Sequence, residues 1–335
     1  MTTAFGVNND TMRGDMTHND LKSVSQASFV DIDDERAGQR IDNFLITQLK
    51  GVPKSHVYRI LRKGEVRVNK GRIKPDYRLQ AGDSVRIPPM RLGESSEPAK
   101  PQTSVLKRIE QTILYEDKNL LVINKPSGLA VHGGSGLSYG VIEALRALRP
   151  DAHYLELVHR LDRDTSGCLL IAKKRSALRY LHSLLRGENA GNCIEKHYLA
   201  LVGGRWQGGR RVIDVALRKN TLRSGERMVS VDESGKSAVS VFTPVEIYTG
   251  TSLMDVELKT GRTHQIRVHA AHIGHPIAMD EKYGDASFNA EMKAKGLRRL
   301  FLHARSVAFK AQDSDDLITV TAPLEDELEN LLRSL

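Results

Sequence analysis

The stretch His159-Arg-Leu-Asp-Arg-Asp-Thr-Ser-Gly167 sets one carboxylate, Asp162, between two arginines, Arg160 and Arg163. A carboxylate kept ionised by guanidinium neighbours can add to an electrophilic carbon or stabilise a developing cation. Asp164, Thr165, Ser166 and Gly167 have the composition of a turn whose side chains bond nearby amides. An aspartate beside an arginine on a loop is usually only an ion pair, so the setting has to decide. Two other arrangements compete. His264, His269, His272 and His275 suggest a metal, but 264 to 269 is five residues, whereas helical zinc pairs favour four. Gly136-Leu-Ser-Tyr-Gly140 fits a serine nucleophile elbow, and His132-Gly-Gly134 an oxyanion loop. The elbow serine should directly follow a strand, yet a glycine loop precedes Ser138, and the two motifs abut. No metal and no serine chemistry are expected.

The elements that must position Asp162 follow from hydrophobic patterning. Leu120–Ile123, Leu155–Val158 and Cys168–Ile171 are short apolar runs, and Ser237–Tyr248 and Ser252–Lys259 alternate. Helical spacing covers Tyr139–Leu148, Ser176–Leu185, Thr263–Ile273 and Leu324–Leu332. Asp162 therefore lies on a connection between two buried strands, where functional groups sit on a rigid scaffold. Strands outnumber helices and do not alternate with them regularly. The expected fold of residues 108–335 is α+β, a mixed, largely antiparallel sheet with flanking helices.

The charge of the chain is unevenly spread. Fourteen Lys or Arg against four acids between Arg36 and Arg91 give +10, so the remainder of a +9 chain carries −1. That imbalance suits a polyanion-binding module better than a solvated face, which mixes both signs. Gln39–Leu49 has one apolar helical face, Pro53 opens a second helix ending before Gly64, and Val66 with Val68, then Val85 with Ile87, read as strands. Arg59, Arg62, Lys63, Arg67, Lys70 and Arg72 gather on the second helix and the turn after it. With its run Arg62-Lys-Gly-Glu-Val-Arg-Val-Asn69, the segment 36–91 resembles an S4 RNA-binding domain. Residues 92–107 have linker composition, and residues 1–28 are too poor in large apolar residues to order. No apolar stretch approaches the roughly 18 residues of a membrane helix, and no export signal precedes the basic segment. Cys168 and Cys193 are expected as free thiols in the cytoplasm.

The nine residues around Asp162 match the signature His-Arg-Leu-Asp-x-x-Thr-Ser-Gly of the RluA family of pseudouridine synthases. Asn124-Lys-Pro-Ser-Gly-Leu129, Lys196-His-Tyr198 and Gly261-Arg-Thr-His-Gln-Ile-Arg-Val-His269 resemble its other motifs in the same order. Gly51-Val-Pro-Lys-Ser55, Gly133-Gly-Ser-Gly136 and Arg163-Asp164 bring it nearest to the branch acting on 23S ribosomal RNA of the large subunit. The resemblance implies a catalytic Asp162 and a Tyr198 that stacks on the base and helps remove the C5 proton. It implies an Arg267 that pairs with Asp162, with Arg262 as the rival partner, and an Arg160 that fills the space left by a flipped uridine. His264 and Gln265 are expected to bind substrate. Making pseudouridine breaks the N1–C1′ bond and joins C5 to C1′ with no atom or electron gained, so no cofactor is required. The expected partner is 23S rRNA or a pre-ribosomal large-subunit particle, bound by a monomer with no membrane association. A non-catalytic RNA-binding protein is the alternative, disfavoured because Asp162 and both candidate partners are present.

Overall fold

A computed structural model describes residues 27–34, 36–49, 52–89, 103–133, 139–152, 154–189, 192–221 and 227–335. Ser138 and most of the expected linker lie outside the described residues, as does all but the end of the 1–28 segment. The chain divides into two compact units, 1–97 and 98–335.

In the first unit β1 (Ser28–Asp31), α1 (Ile41–Gln48), α2 (Lys54–Lys63), β2 (Arg67–Val68), β3 (Gly71–Arg72) and β4 (Ser84–Ile87) follow in order. The strands form a sheet ordered β1-β4-β2-β3. Both helices turn apolar residues inward, Ile41, Phe44 and Leu45 from α1 and Val57, Ile60 and Leu61 from α2, against Val66, Val68, Val85 and Ile87. Ser28, expected in a disordered lead-in, opens β1 instead, because it pairs with Ile87. Helix α2 ends where Gly64 adopts φ 70°, a left-handed cap that glycine takes without steric cost. On either side of this cap Arg59, Arg62, Lys63, Arg67, Lys70 and Arg72 are all exposed.

The second unit contains α3 (Thr103–Glu110), β5 (Ile113–Glu116), β6 (Leu120–Lys125), α4 (Val141–Leu148), β7 (Glu156–Leu157), β8 (Ser166–Ala172) and α5 (Arg175–Arg186). It continues with β9 (Glu195–Gly203), β10 (Arg211–Asp214), β11 (Leu217–Thr221), β12 (Arg227–Val231), β13 (Val239–Ile247) and β14 (Thr251–Leu258). Last come α6 (Gln265–His272), α7 (Ala286–Ala294), β15 (Leu302–Lys310), β16 (Leu317–Thr321) and α8 (Asp326–Ser334). The start of α3 falls inside the stretch expected as linker, since Ile109 on its inner face is buried in the main core.

The main sheet runs β10-β13-β14-β9-β15-β8-β6-β5, with β16 on β15 and β7 on β8, and β11 and β12 form a separate hairpin. Only the β15–β8 pairing is parallel among those described, so the sheet is mixed and largely antiparallel, as expected. Its centre is buried on both faces. Leu169 and Ile171 of β8 join one core with α4 and α6, while Cys168 and Leu170 join another with α5. A strand covered on both sides reads as one apolar run, which is the pattern of Cys168–Ile171. Tyr198 of β9 shares the α6 side with Ile266, and its neighbour Leu199 packs on the opposite side with α7 and α8.

Candidate active site

Asp162 sits in the turn that enters β8, and that turn is tied down from two directions. Gly167 has φ 106°, and a Cβ there would lie 2.2 Å from the carbonyl oxygen of Ala304 on β15, so only glycine permits this approach. From the end of β6 the buried Lys125 Nζ donates to the carbonyls of Pro126 (2.8 Å), Leu129 (2.8 Å) and Arg163 (2.9 Å). Ser127 Oγ donates to the Asp164 carbonyl at 2.8 Å, and the Gly128 amide to that of Arg163 at 3.0 Å. Burial pushes the Lys125 ammonium down to about 7, while the charges of Asp164 and Asp162 oppose the shift. In its ammonium form the group supplies one N–H to each of the three carbonyls.

The neighbouring arginines do not hold Asp162. Arg163 turns to Asp164 (2.9 Å) and Arg160 is exposed. The cation facing Asp162 comes from α6: Arg267 Nη1 stands 3.4 Å from Oδ2. His264 Nε2 stands 3.8 Å from Oδ1. Arg262, the rival partner, donates instead to the Ser237 carbonyl at 2.9 Å.

Arg267 is anchored on its other edge. Its Nε and Nη2 each meet a carboxylate oxygen of Asp280 at 2.7 Å, a fork-to-fork pair. The Asp280 side chain is 1% exposed and also accepts the amides of Lys282 and Tyr283. Burial alone would raise its pKa, but Arg267 and these amides outweigh it and hold the group below the usual carboxylate range. The Tyr283 ring lies under the guanidinium at 5.2 Å, and its hydroxyl meets His264 Nδ1 at 2.8 Å. Burial, together with Arg267 and Lys282, keeps the His264 imidazole below its ordinary value against the pull of Asp162. Neither Asp280 nor Tyr283 belongs to a segment singled out from sequence. The signal that could have found them is the run of polar and turn-forming residues Asp280-Glu-Lys-Tyr-Gly284 following an apolar Pro276–Met279.

These groups open on a cleft of about 630 Å³, lined also by Tyr198, Lys196, His159, Arg160 and Arg262. Tyr198 is 7% exposed, and burial with the nearby Asp162 charge pushes its hydroxyl well above the ordinary phenol range. Lys196, two residues earlier on the same side of β9, is held below the usual lysine range by burial. Gln265 lines the cleft as expected, but its side chain is fully engaged. Its oxygen accepts from Thr260 and the Arg262 amide, and its amide group donates to Val239 and Ser240. No donor or acceptor remains for a substrate, so Gln265 braces the 260–265 turn. Arg262 stands on a rim shared with a second depression of about 660 Å³, lined by Arg218, Lys219 and Lys236. The histidines considered as a metal set have separate partners: Tyr283 for His264, the Val215 carbonyl for His269, the Gly203 carbonyl for His275.

The family model for RNA pseudouridylate synthase matches residues 119–272, and the S4 domain model matches residues 39–85. The chain is 55% identical over 318 residues to ribosomal large subunit pseudouridine synthase C of Pasteurella multocida (strain Pm70), covering 94% of this chain and 96% of the relative. The enzyme of the same name from Escherichia coli (strain K12) is 55% identical over 304 residues, covering 90% and 94%. Among solved structures, human RNA pseudouridylate synthase domain containing 4 aligns with a TM-score of 0.57 at 25% identity, covering 69% of this chain and 95% of that one. The groups around Asp162 all lie within or just beyond the matched synthase segment, and the exposed cations of α2 to β3 lie in the S4 segment. The chain belongs to the RNA pseudouridylate synthase family and is an RNA pseudouridine synthase with an S4 domain ahead of its catalytic unit.

Proposed function

We propose that this enzyme isomerises uridine to pseudouridine in the 23S RNA of the large ribosomal subunit, with Asp162 as the catalytic carboxylate. One observation carries the reading: Asp162 lies in the cleft with a separate nitrogen facing each of its oxygens, Arg267 Nη1 at 3.4 Å and His264 Nε2 at 3.8 Å. Both contacts are long, so the carboxylate is faced by two nitrogens yet not tied up in a close bidentate pair. The chemistry asks for little else. The glycosidic bond breaks at C1′, the base turns, C5 joins C1′, and the proton lost from C5 is matched by one gained at N1. Asp162 forms the transient bond or stabilises the sugar cation, and Tyr198, kept neutral by burial, stacks on the base and relays the C5 proton.

A stacked uridine hides these atoms, so the target is flipped out at a cost of a few kcal/mol. Arg160, exposed at the cleft, fills the vacated place. Arg262, His264 and the six S4 cations contact RNA around it, which suits recognition of a folded large-subunit rRNA or its precursor particle by backbone and loop contacts. That both bacterial relatives are ribosomal large subunit pseudouridine synthases supports the substrate. The enzyme works as a cytoplasmic monomer. Wild type and Asp162→Asn are compared for pseudouridine formation in unmodified large-subunit rRNA, with EDTA present and RNA retention followed alongside. Modification by wild type alone, with equal binding, is the expected result. Binding by both without modification by either would leave only an RNA-binding protein.

A further inference from the structure

Three elements of the catalytic unit meet at a single oxygen. The Val229 amide of β12 donates to the Tyr283 hydroxyl at 3.0 Å, and that hydroxyl lies 2.8 Å from Nδ1 of His264, the residue that begins α6. His264 holds φ 54°, a left-handed conformation uncommon outside glycine, and so is kept there by its surroundings. The rings of His264 and Tyr283 also meet edge to face at 5.5 Å. The other end of the imidazole, Nε2, faces Asp162 Oδ1.

One assignment of protons satisfies every group at this oxygen. An amide can only donate, so one lone pair of the phenol oxygen is taken by Val229. The phenol has one proton, and among the described residues the acceptor placed for it is Nδ1. The ring is then neutral with its proton on Nε2, aimed at Asp162. The groups facing it agree. Arg267 and Lys282 oppose a second positive charge, and Asp162 and Asp280 favour it, but burial is the larger effect.

We infer that Tyr283 is a positioning residue, whose hydroxyl locks His264 as the Nε2–H tautomer and so presents an N–H to Asp162 Oδ1 across from Arg267. Each carboxylate oxygen then faces one N–H, Arg267 Nη1 at 3.4 Å and His264 Nε2 at 3.8 Å. The same hydroxyl links that donor to the β11–β12 hairpin, so a shift of the hairpin reaches His264 through two hydrogen bonds and Asp162 through the 3.8 Å contact beyond them. The inference rests on the catalytic role proposed for Asp162, but its first test does not.

Nitrogen-15 NMR of the full chain, with His264 assigned by its loss in His264→Leu, reports the tautomer directly. Wild type should show Nε2 protonated and Nδ1 bare at pH 7, and Tyr283→Phe a mixture of tautomers. A wild-type ring protonated on Nδ1 overturns the proposal whether or not the enzyme is active. Kinetics on an unmodified large-subunit rRNA transcript supply the second arm. Tyr283→Phe should lower kcat by about tenfold with KM nearly unchanged. His264→Gln, whose amide can accept from Tyr283 and donate to Asp162, should keep more activity than His264→Leu. Adding Tyr283→Phe to His264→Leu should cost nothing further, because the two act through one contact. Losses that simply multiply in the double variant would show Tyr283 to be a packing residue and overturn the proposal.

Discussion

Asp280 and Arg267 form the tightest charge pair at the cleft, two contacts of 2.7 Å, while the same guanidinium stands 3.4 Å from Asp162. The buried carboxylate thus sets where the arginine is, and Asp162 receives only its free edge. Replacing Asp280 by Asn should release Arg267 toward Asp162 and lower kcat by about tenfold or more. It should also cost about 3 kcal/mol of stability, because a buried charge loses its partner. The folded pKa of Asp280 lies below its ordinary value, so its stabilisation is present above that value and is lost as pH falls through the folded one. Denaturant unfolding should show the full wild-type advantage at pH 7 and its decline as the pH is taken down through the acid range.

Tyr198 should act without ionising. Its folded pKa is raised, first by burial and then by Asp162, so the neutral phenol is stabilised. This contribution is full below about 10, the ordinary phenol value, and disappears as pH rises beyond it. The rate at high pH should show no gain from phenolate formation up to about pH 10, and Tyr198→Phe should lose about 100-fold in kcat at pH 7. A rate that climbs with phenolate absorbance would assign the residue a different role.

Lys125 gives stability an unusual slope. Native Lys125 releases its proton at about 7, whereas an unfolded lysine keeps it to about 10.4. Between these values the unfolded chain binds more protons, so this group makes the unfolding free energy rise with pH, by up to about 1.4 kcal/mol per unit. Lys125→Met should abolish that slope. It should also loosen the Asp162 turn, seen as faster amide exchange at Arg163 and Asp164, because the carbonyls of Pro126, Leu129 and Arg163 lose their shared donor.

Binding should separate from chemistry at the S4 unit. Changing Arg59, Arg62 and Arg67 to Gln should weaken RNA affinity and flatten its salt dependence, by about one in log–log slope for each phosphate that is no longer neutralised. The kcat at saturating RNA should stay within about twofold of wild type, since none of the three lines the catalytic cleft. A fall in kcat with unchanged affinity would move these cations from binding to catalysis.

What can be read from sequence follows from the range of the interactions. The strand carrying Leu169 and Ile171, and the helix carrying Ile266 and Arg267, announce themselves through local apolar spacing, and Asp162 through a short motif. Sequence does not separate Arg267 from Arg262, because the choice depends on where the 260–265 turn points each side chain. That turn is set by Gln265 bonding across to Val239 and Ser240, a long-range contact with no local trace. Asp280 escapes for the same reason: its partner is thirteen residues away, and the polar run that begins with it marks a turn without naming that partner. Helix α7 buries only Phe288 and Met292, too sparse a pattern to stand out. Helix α3 reads as linker because its short apolar face follows a Pro- and Glu-rich stretch.

The close approach at Gly167 has an evolutionary corollary. The strand bearing the reactive turn touches β15 backbone to backbone, with no room for a single methyl group. That wall of the cleft cannot drift by small substitutions without separating the two strands. Position 167 is therefore closed to any side chain, and variation in the cleft has to come from its lining residues.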